Sequence, residues 1–130
     1  MTETADERRS LDGLTERIIG CAYAVANGLG FGFLEKVYEN ALAHDLRKNG
    51  IQVDQQWPLQ VRYDGAVVGE YVADLLVEGI VVVELKVAKV LDAIHVAQCL
   101  NYLKATSLHV ALLINFGAPR VEVKRIMNQF

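Results

Sequence analysis

The sequence predicts an α/β domain whose mixed β-sheet is flanked by helices, in the order α-α-β-β-β-α-β-β. Three observations carry this prediction. Apolar residues recur at three- and four-residue steps as far as about Lys48. Looser alternation with many β-branched residues then runs from Ile51 to Val87. The helical period returns from Leu91 to Lys104, ahead of two further strand-like segments. A helix set between an antiparallel meander and a later strand calls for a mixed sheet.

Leu14, Ile18, Ala22, Val25 and Leu29 mark one face of a first helix, from Leu11 to about Gly28. Three glycines among residues 28–32 end it, because continued helix is costly there. A second helix is expected over Leu34 to Lys48, with Leu34, Val37, Tyr38, Ala41, Leu42 and Leu46 as its core stripe and Asn49-Gly50 as its stop. Ile51 to Tyr63 is a strand in which Trp57-Pro58 marks an edge or a bulge, since proline cannot donate to a ladder. Asp64-Gly65 is a turn signal, and strands follow over Val67 to Val77 and Ile80 to Val87. Leu108 to Asn115 is almost wholly apolar, as expected of a strand covered on both faces. Val121 to Ile126 alternates like a short edge strand.

At 130 residues and 14.4 kDa, the chain fits one domain over residues 11–130, preceded by a polar, frayed arm over residues 1–10. No apolar run approaches the roughly 20 residues of a membrane helix, and the N-terminus lacks the apolar core of a secretory signal, so no membrane partner and a cytoplasmic location are expected. Cys21 and Cys99 have no metal-ligand spacing and are expected as buried free thiols. The net charge of −3 counts against a protein that holds DNA by bulk electrostatics. Contact with nucleic acid would need a local basic patch, a metal or a partner. Lys89, Lys104, Arg120, Lys124 and Arg125 are candidates for such a rim, although each alone reads as ordinary surface.

The chemistry concentrates in Glu70 to Lys86, EYVADLLVEGIVVVELK. This most apolar part of the chain nevertheless carries Asp74, Glu84 and Lys86, and buried strands hold charges when those charges meet a counter-charge. Glu84 and Lys86 share a face of their strand. Whether Asp74 joins them depends on the loop. A two-residue turn at Glu78-Gly79 puts Asp74 on the opposite face, whereas a three-residue loop, Glu78-Gly79-Ile80, pairs 77 with 81 and 74 with 84. In the second register, Asp74, Glu84 and the backbone carbonyl of Leu85 are candidate ligands for Mg²⁺ or Mn²⁺. Lys86 would orient an attacking water or offset developing charge, as in metal-dependent phosphodiester hydrolysis. The alternative is a solvent-facing acid–lysine arrangement of little energetic weight. Glu35 on its own reads as a first-turn acid favoured by the helix dipole. Gln98 and Tyr102 share a helix face, with His95 one turn earlier, and His95 lacks ligand-spaced companions.

Gly32-Phe-Leu-Glu35-Lys-Val-Tyr38 matches the pattern G-x-x-E-x-x-Y. Further blocks are Tyr71 to Val77, Val83 to Lys86, His95 to Thr106 and Leu113 to Gly117. Together they resemble the GxxExxY family of small bacterial proteins, grouped with the PD-(D/E)XK nuclease-like superfamily, from about Leu14 to the C-terminus. The resemblance implies a restriction-endonuclease-like core, with Asp74, Glu84 and Lys86 in the metal and catalytic positions. It also implies that Glu35 is the acid from the preceding helix, as a further metal or water ligand, and that Gln98 and Tyr102 form the Gln-x-x-x-Tyr element. Two departures stand out: Ala26 where relatives commonly have histidine, and Gly30-Phe31-Gly32 where they have Gly-Pro-Gly. The expectation is a Mg²⁺-dependent nuclease acting on DNA or RNA, as a homodimer or larger homo-oligomer. The alternative is a catalytically inactive binding or assembly protein on the same fold.

Overall fold

A computed structural model describes residues 5–128. The elements are α1 (Ala5–Leu29), α2 (Glu35–Lys48), β1 (Val53–Tyr63), β2 (Ala66–Val77), β3 (Val81–Lys86), α3 (Ala93–Thr106), β4 (Val110–Asn115) and β5 (Glu122–Met127). Their order is the one expected. The arm is a partial correction: α1 already begins at Ala5, because that stretch is rich in residue types that favour helix, while residues 1–4 lie outside the described residues.

The five strands form one mixed sheet in the order β1-β2-β3-β4-β5. β3 and β4 are parallel and the other neighbours antiparallel, so α3 is the crossover that a parallel pair requires. α1 and α2 cover one face through a core that includes Ile18, Leu42, Leu75, Val83 and Leu112. α3 covers the other face over Leu76, Val82, Ala111 and Leu113. All six residues of β4 are buried for that reason.

The β1–β2 hairpin turns at Asp64 and Gly65, both with positive φ, and has a register shift at Val61/Arg62. Pro58 lies on the edge strand, where a missing N–H is tolerated. Partway along the hairpin both strands change face. Val53, Leu75 and Val77 belong to the α1–α2 core, whereas Leu59 and Ala73 belong to the α3 core. The switch lies between the pairs Gln55↔Leu75 and Trp57↔Ala73, where Gln56 stands opposite Asp74. Gln56 has φ 52°, a left-handed conformation costing a non-glycine residue about 1 kcal/mol.

The loop after β3 is clamped from β4. Asn115 is fully buried opposite Lys86. Its Oδ1 accepts from the Ala88 and Gly117 N–H groups at 3.0 and 2.9 Å, and its Nδ2 donates to the Ala88 carbonyl and to Glu122, both at 2.9 Å. A Cβ on Gly117 would come within 2.3 Å of the Ala88 nitrogen, so the backbone approach itself requires glycine. Asn115→Ala is expected to lower stability by about 2–4 kcal/mol, because it leaves several half-buried partners unsatisfied, and chemical denaturation would measure it.

Candidate active site

The loop after β2 decides whether the two acids meet. Val77 pairs with Val81, Leu76 with Val82 and Leu75 with Val83. Glu78 and Gly79 have φ of 52° and 70°, and the Ile80 N–H donates to the Val77 carbonyl at 3.0 Å. This is the three-residue register. One residue beyond the last ladder pair, side chains replace carbonyls as acceptors. The Asp74 N–H donates to Glu84 Oε1 at 2.9 Å, and the Leu85 N–H donates to Asp74 Oδ2 at 2.7 Å. The two carboxylates therefore lie in the fork where β2 and β3 part, each held by the opposite strand. Each has a second oxygen outside this exchange.

Burial and mutual repulsion act together on these acids. Glu84 is 5% exposed. Burial first, and the Asp74 charge second, push its carboxyl up to about 8, against the opposing Asp74 N–H and the Lys86 ammonium. Asp74 is also raised, mainly by burial, while the Leu85 N–H, Lys86 and the Gln56 amide pull the other way. Glu35, the first residue of α2, is raised by burial and by Asp74 and lowered by Lys86. All three acids therefore share one electrostatic field with Lys86, which is half-buried at the end of β3.

The glycine turn and Tyr38 set the position of Glu35. Tyr38 is fully buried and stacks on Phe116 with centroids 4.7 Å apart. Its hydroxyl donates to the Gly30 carbonyl at 2.6 Å and accepts from the Phe33 N–H at 3.3 Å. Gly30 and Gly32 both have positive φ, so the chain reverses in front of α2 and Tyr38 fixes that reversal. The spacing G-x-x-E-x-x-Y is thus a strut that presents Glu35.

On the other face, Gln98 Nε2 lies 3.0 Å from the Tyr102 hydroxyl. Burial and then the Glu84 charge push that phenol up to about 12, which places it beside the acids. His95 is taken up by α3 itself, since its Nδ1 accepts from the Asp92 N–H at 3.3 Å within a capping box. Cys21 and Cys99 are buried and free. Of the five basic residues considered for a rim, Arg125 pairs with Asp12 of α1, and Lys104 lies on α3.

Two side chains that the sequence did not single out complete the site. Glu39 is 2% exposed and accepts from Lys36 Nζ at 2.9 Å, Gln55 Nε2 at 2.8 Å and Gln56 Nε2 at 2.6 Å. The strained Gln56 therefore links Glu39 to Asp74. The expected stripe of α2 is turned accordingly: Leu34 and Val37 are exposed, and the buried residues are Tyr38, Glu39, Leu42, Ala43 and Leu46. Three donors make burial of Glu39 tolerable, and a hydrophobic pattern does not display such donors.

The sequence profile of the PD-(D/E)XK nuclease superfamily matches residues 12–126. The chain belongs to that superfamily. No curated protein matches it. Among solved structures, the crystal structure of SSO0001 superposes with a TM-score of 0.58 at 17% identity, over 74% of this chain and 51% of that one. The chain spans about half the length of that structure, and the likeness is one of fold. PD-(D/E)XK nucleases generally use divalent metal ions. Among the described residues of this PD-(D/E)XK protein, no three His, Cys, Asp or Glu side chains are grouped to hold an ion unaided. Asp74 and Glu84 nonetheless present paired hard oxygen donors, the ligand type that divalent cations such as Mg²⁺ take. No helix among the described residues is long and apolar enough to cross a membrane.

Proposed function

We propose that this PD-(D/E)XK protein is a Mg²⁺- or Mn²⁺-dependent nuclease that hydrolyses phosphodiester bonds of DNA or RNA, and that within the superfamily it is a GxxExxY protein. The observation that carries the reading is the exchange between β2 and β3, which brings Asp74 and Glu84 together at the mouth of a fork beside Lys86. Asp74, Glu84 and the Leu85 carbonyl would hold the ion, and Glu35 would add a further acid towards it or its water. When bound, such an ion polarises a phosphate oxygen and acidifies water. Lys86 orients the attacking water and offsets negative charge in the transition state. Glu39 and Gln56 keep Asp74 in place from the α2 side, and Asn115 keeps the chain at Lys86 in place from the β4 side. Gln98 and Tyr102 face the substrate.

One observation favours the competing reading, a nuclease fold retained for binding or assembly. Each carboxylate accepts a backbone N–H from the opposite strand, which is the satisfaction that a structural pair needs. Incubation with plasmid, single-stranded DNA and RNA separates the two readings. The nuclease reading expects cleavage in Mg²⁺ or Mn²⁺, none in EDTA, and none with Glu84→Ala. Cleavage that persists in Glu84→Ala and Lys86→Ala alike belongs to a contaminant and removes the assignment.

A further inference from the structure

A cavity of about 1050 Å³ lies between the outer β1–β2 hairpin and α3, with none of Asp74, Glu84 and Lys86 in its lining. Its lining includes Arg62 and Lys104 together with Gln60, Gln98 and Asn101. Among the described residues no Asp or Glu lines it, in a chain that has 16 such residues and a net charge of −3. A groove free of acids in an acidic protein is selected for an anion or for a neutral polar ligand.

Tyr71 gives the groove a second character. It is 48% exposed, and its ring lies 5.6 Å from that of Tyr102, tilted by 49°. The change of face at Gln56 and Asp74 makes this contact possible, because it turns the odd-numbered residues of outer β2 towards α3. Tyr102 is 5% exposed and backs Tyr71, with its hydroxyl in the field of Glu84. The groove therefore carries a half-open aromatic ring at Tyr71 and shares Tyr102 with the surroundings of Glu84.

We propose that this groove receives an unpaired strand of nucleic acid, stacks a base on Tyr71, and leads the strand past Gln98 and Tyr102 to the carboxylates. The proposal deepens the nuclease reading and rests on it for its direction. A free base has a face for Tyr71 and open edges for the amides of Gln60, Gln98 and Asn101. In a duplex those faces are stacked on neighbours and the Watson–Crick edges are paired. Two cations suit a strand whose affinity comes partly from stacking, whereas a duplex gripped by its phosphates calls for more. Because the carboxyl groups of Glu35, Glu39, Asp74 and Glu84 offer phosphate no attraction of their own, the groove supplies affinity away from them.

Fluorescence anisotropy with the full chain in EDTA, where cleavage is not expected, tests this directly. Short labelled DNA and RNA strands are compared with duplexes of the same sequence. The unpaired strands are expected to bind at least about tenfold more tightly than the duplexes, and the DNA and RNA arms show which sugar is preferred. Tyr71→Ala should weaken strand binding by about tenfold, from the loss of one stacked base, and Tyr71→Phe should restore it. Arg62→Ala and Lys104→Ala should each flatten the slope of log K against log salt by about 0.7, a change that a folding defect does not produce. Equal duplex binding, or affinity and slope indifferent to these variants, overturns the proposal. If strands bind as expected but no substrate is cleaved in Mg²⁺ or Mn²⁺, the groove stands and the nuclease reading fails. If cleavage occurs without strand preference, the nuclease reading stands and the groove fails.

Discussion

Lys86→Ala is expected to slow metal-dependent cleavage by roughly 10²–10⁴-fold while leaving Mn²⁺ affinity at pH 8.5 within about threefold. The reason is where Lys86 acts. Its ammonium lowers the proton affinity of Glu35, Asp74 and Glu84 together, so it belongs to their field without being a ligand. Removing it has two opposed effects on metal binding. The acids hold their protons to higher pH, but a competing positive charge disappears. The two effects offset one another, so affinity survives while the group that orients water is lost. Glu84→Ala behaves differently, because it takes away one of two paired carboxylates and metal binding fails along with turnover. Single-turnover cleavage measured beside Mn²⁺ titration separates the two roles. Equal losses of affinity in both variants would remove Lys86 from the chemistry and make it a structural cation.

The second large effect is on stability. The metal-free protein is expected to lose stability as pH rises from about 5 to 8, and Glu84→Gln should remove most of that slope. In the unfolded chain the Glu84 carboxyl titrates near 4.5, whereas in the folded protein burial and Asp74 push it up to about 8. Below 4.5 both states carry the proton and the stabilising contribution is fully present. Between 4.5 and 8 the unfolded chain has released the proton that the folded chain still holds, so the native state binds more protons and stability falls with pH. Above about 8 both states are ionised and the curve flattens. The shift corresponds to roughly 4–5 kcal/mol across this window. Saturating Mn²⁺ should reverse the trend, since the ion binds the ionised acids, and at a hundredfold over its Kd it adds about 2.7 kcal/mol. Urea denaturation of wild type and Glu84→Gln at several pH values, with and without Mn²⁺, measures both. A wild-type slope identical to that of Glu84→Gln would show that Glu84 ionises normally.

Much of this site was legible because it is written locally. Glu84 and Lys86 share a face by the two-residue period of a strand, and Gly79 marks a loop whose length decides whether Asp74 joins them. The β-branched runs and the intervening helix likewise specify the mixed sheet. What stayed hidden depends on groups far apart in the chain. Glu39 looks like any helix acid until Gln55 and Gln56 arrive from β1 to bind it. The left-handed backbone of Gln56 has no sequence signal, since glutamine is not a residue that favours positive φ. The strut role of Tyr38 was legible only as a motif letter, because its partners are a backbone carbonyl eight residues away and a ring from the segment after β4. The turned face of α2 follows from the same cause: pattern alone places Leu34 and Val37 inside, whereas a satisfied carboxylate takes the buried position.

The central claim is that Asp74 and Glu84 form a divalent-metal site, and calorimetric titration with Mn²⁺ tests it without any substrate. Wild type is expected to bind at one saturable site with sub-millimolar affinity that rises with pH through about 8, as Glu84 ionises. Glu84→Ala is expected to give no such site. Absence of binding by wild type at millimolar Mn²⁺, or unchanged binding in Glu84→Ala, would contradict the account and leave the fold as a scaffold for binding or assembly.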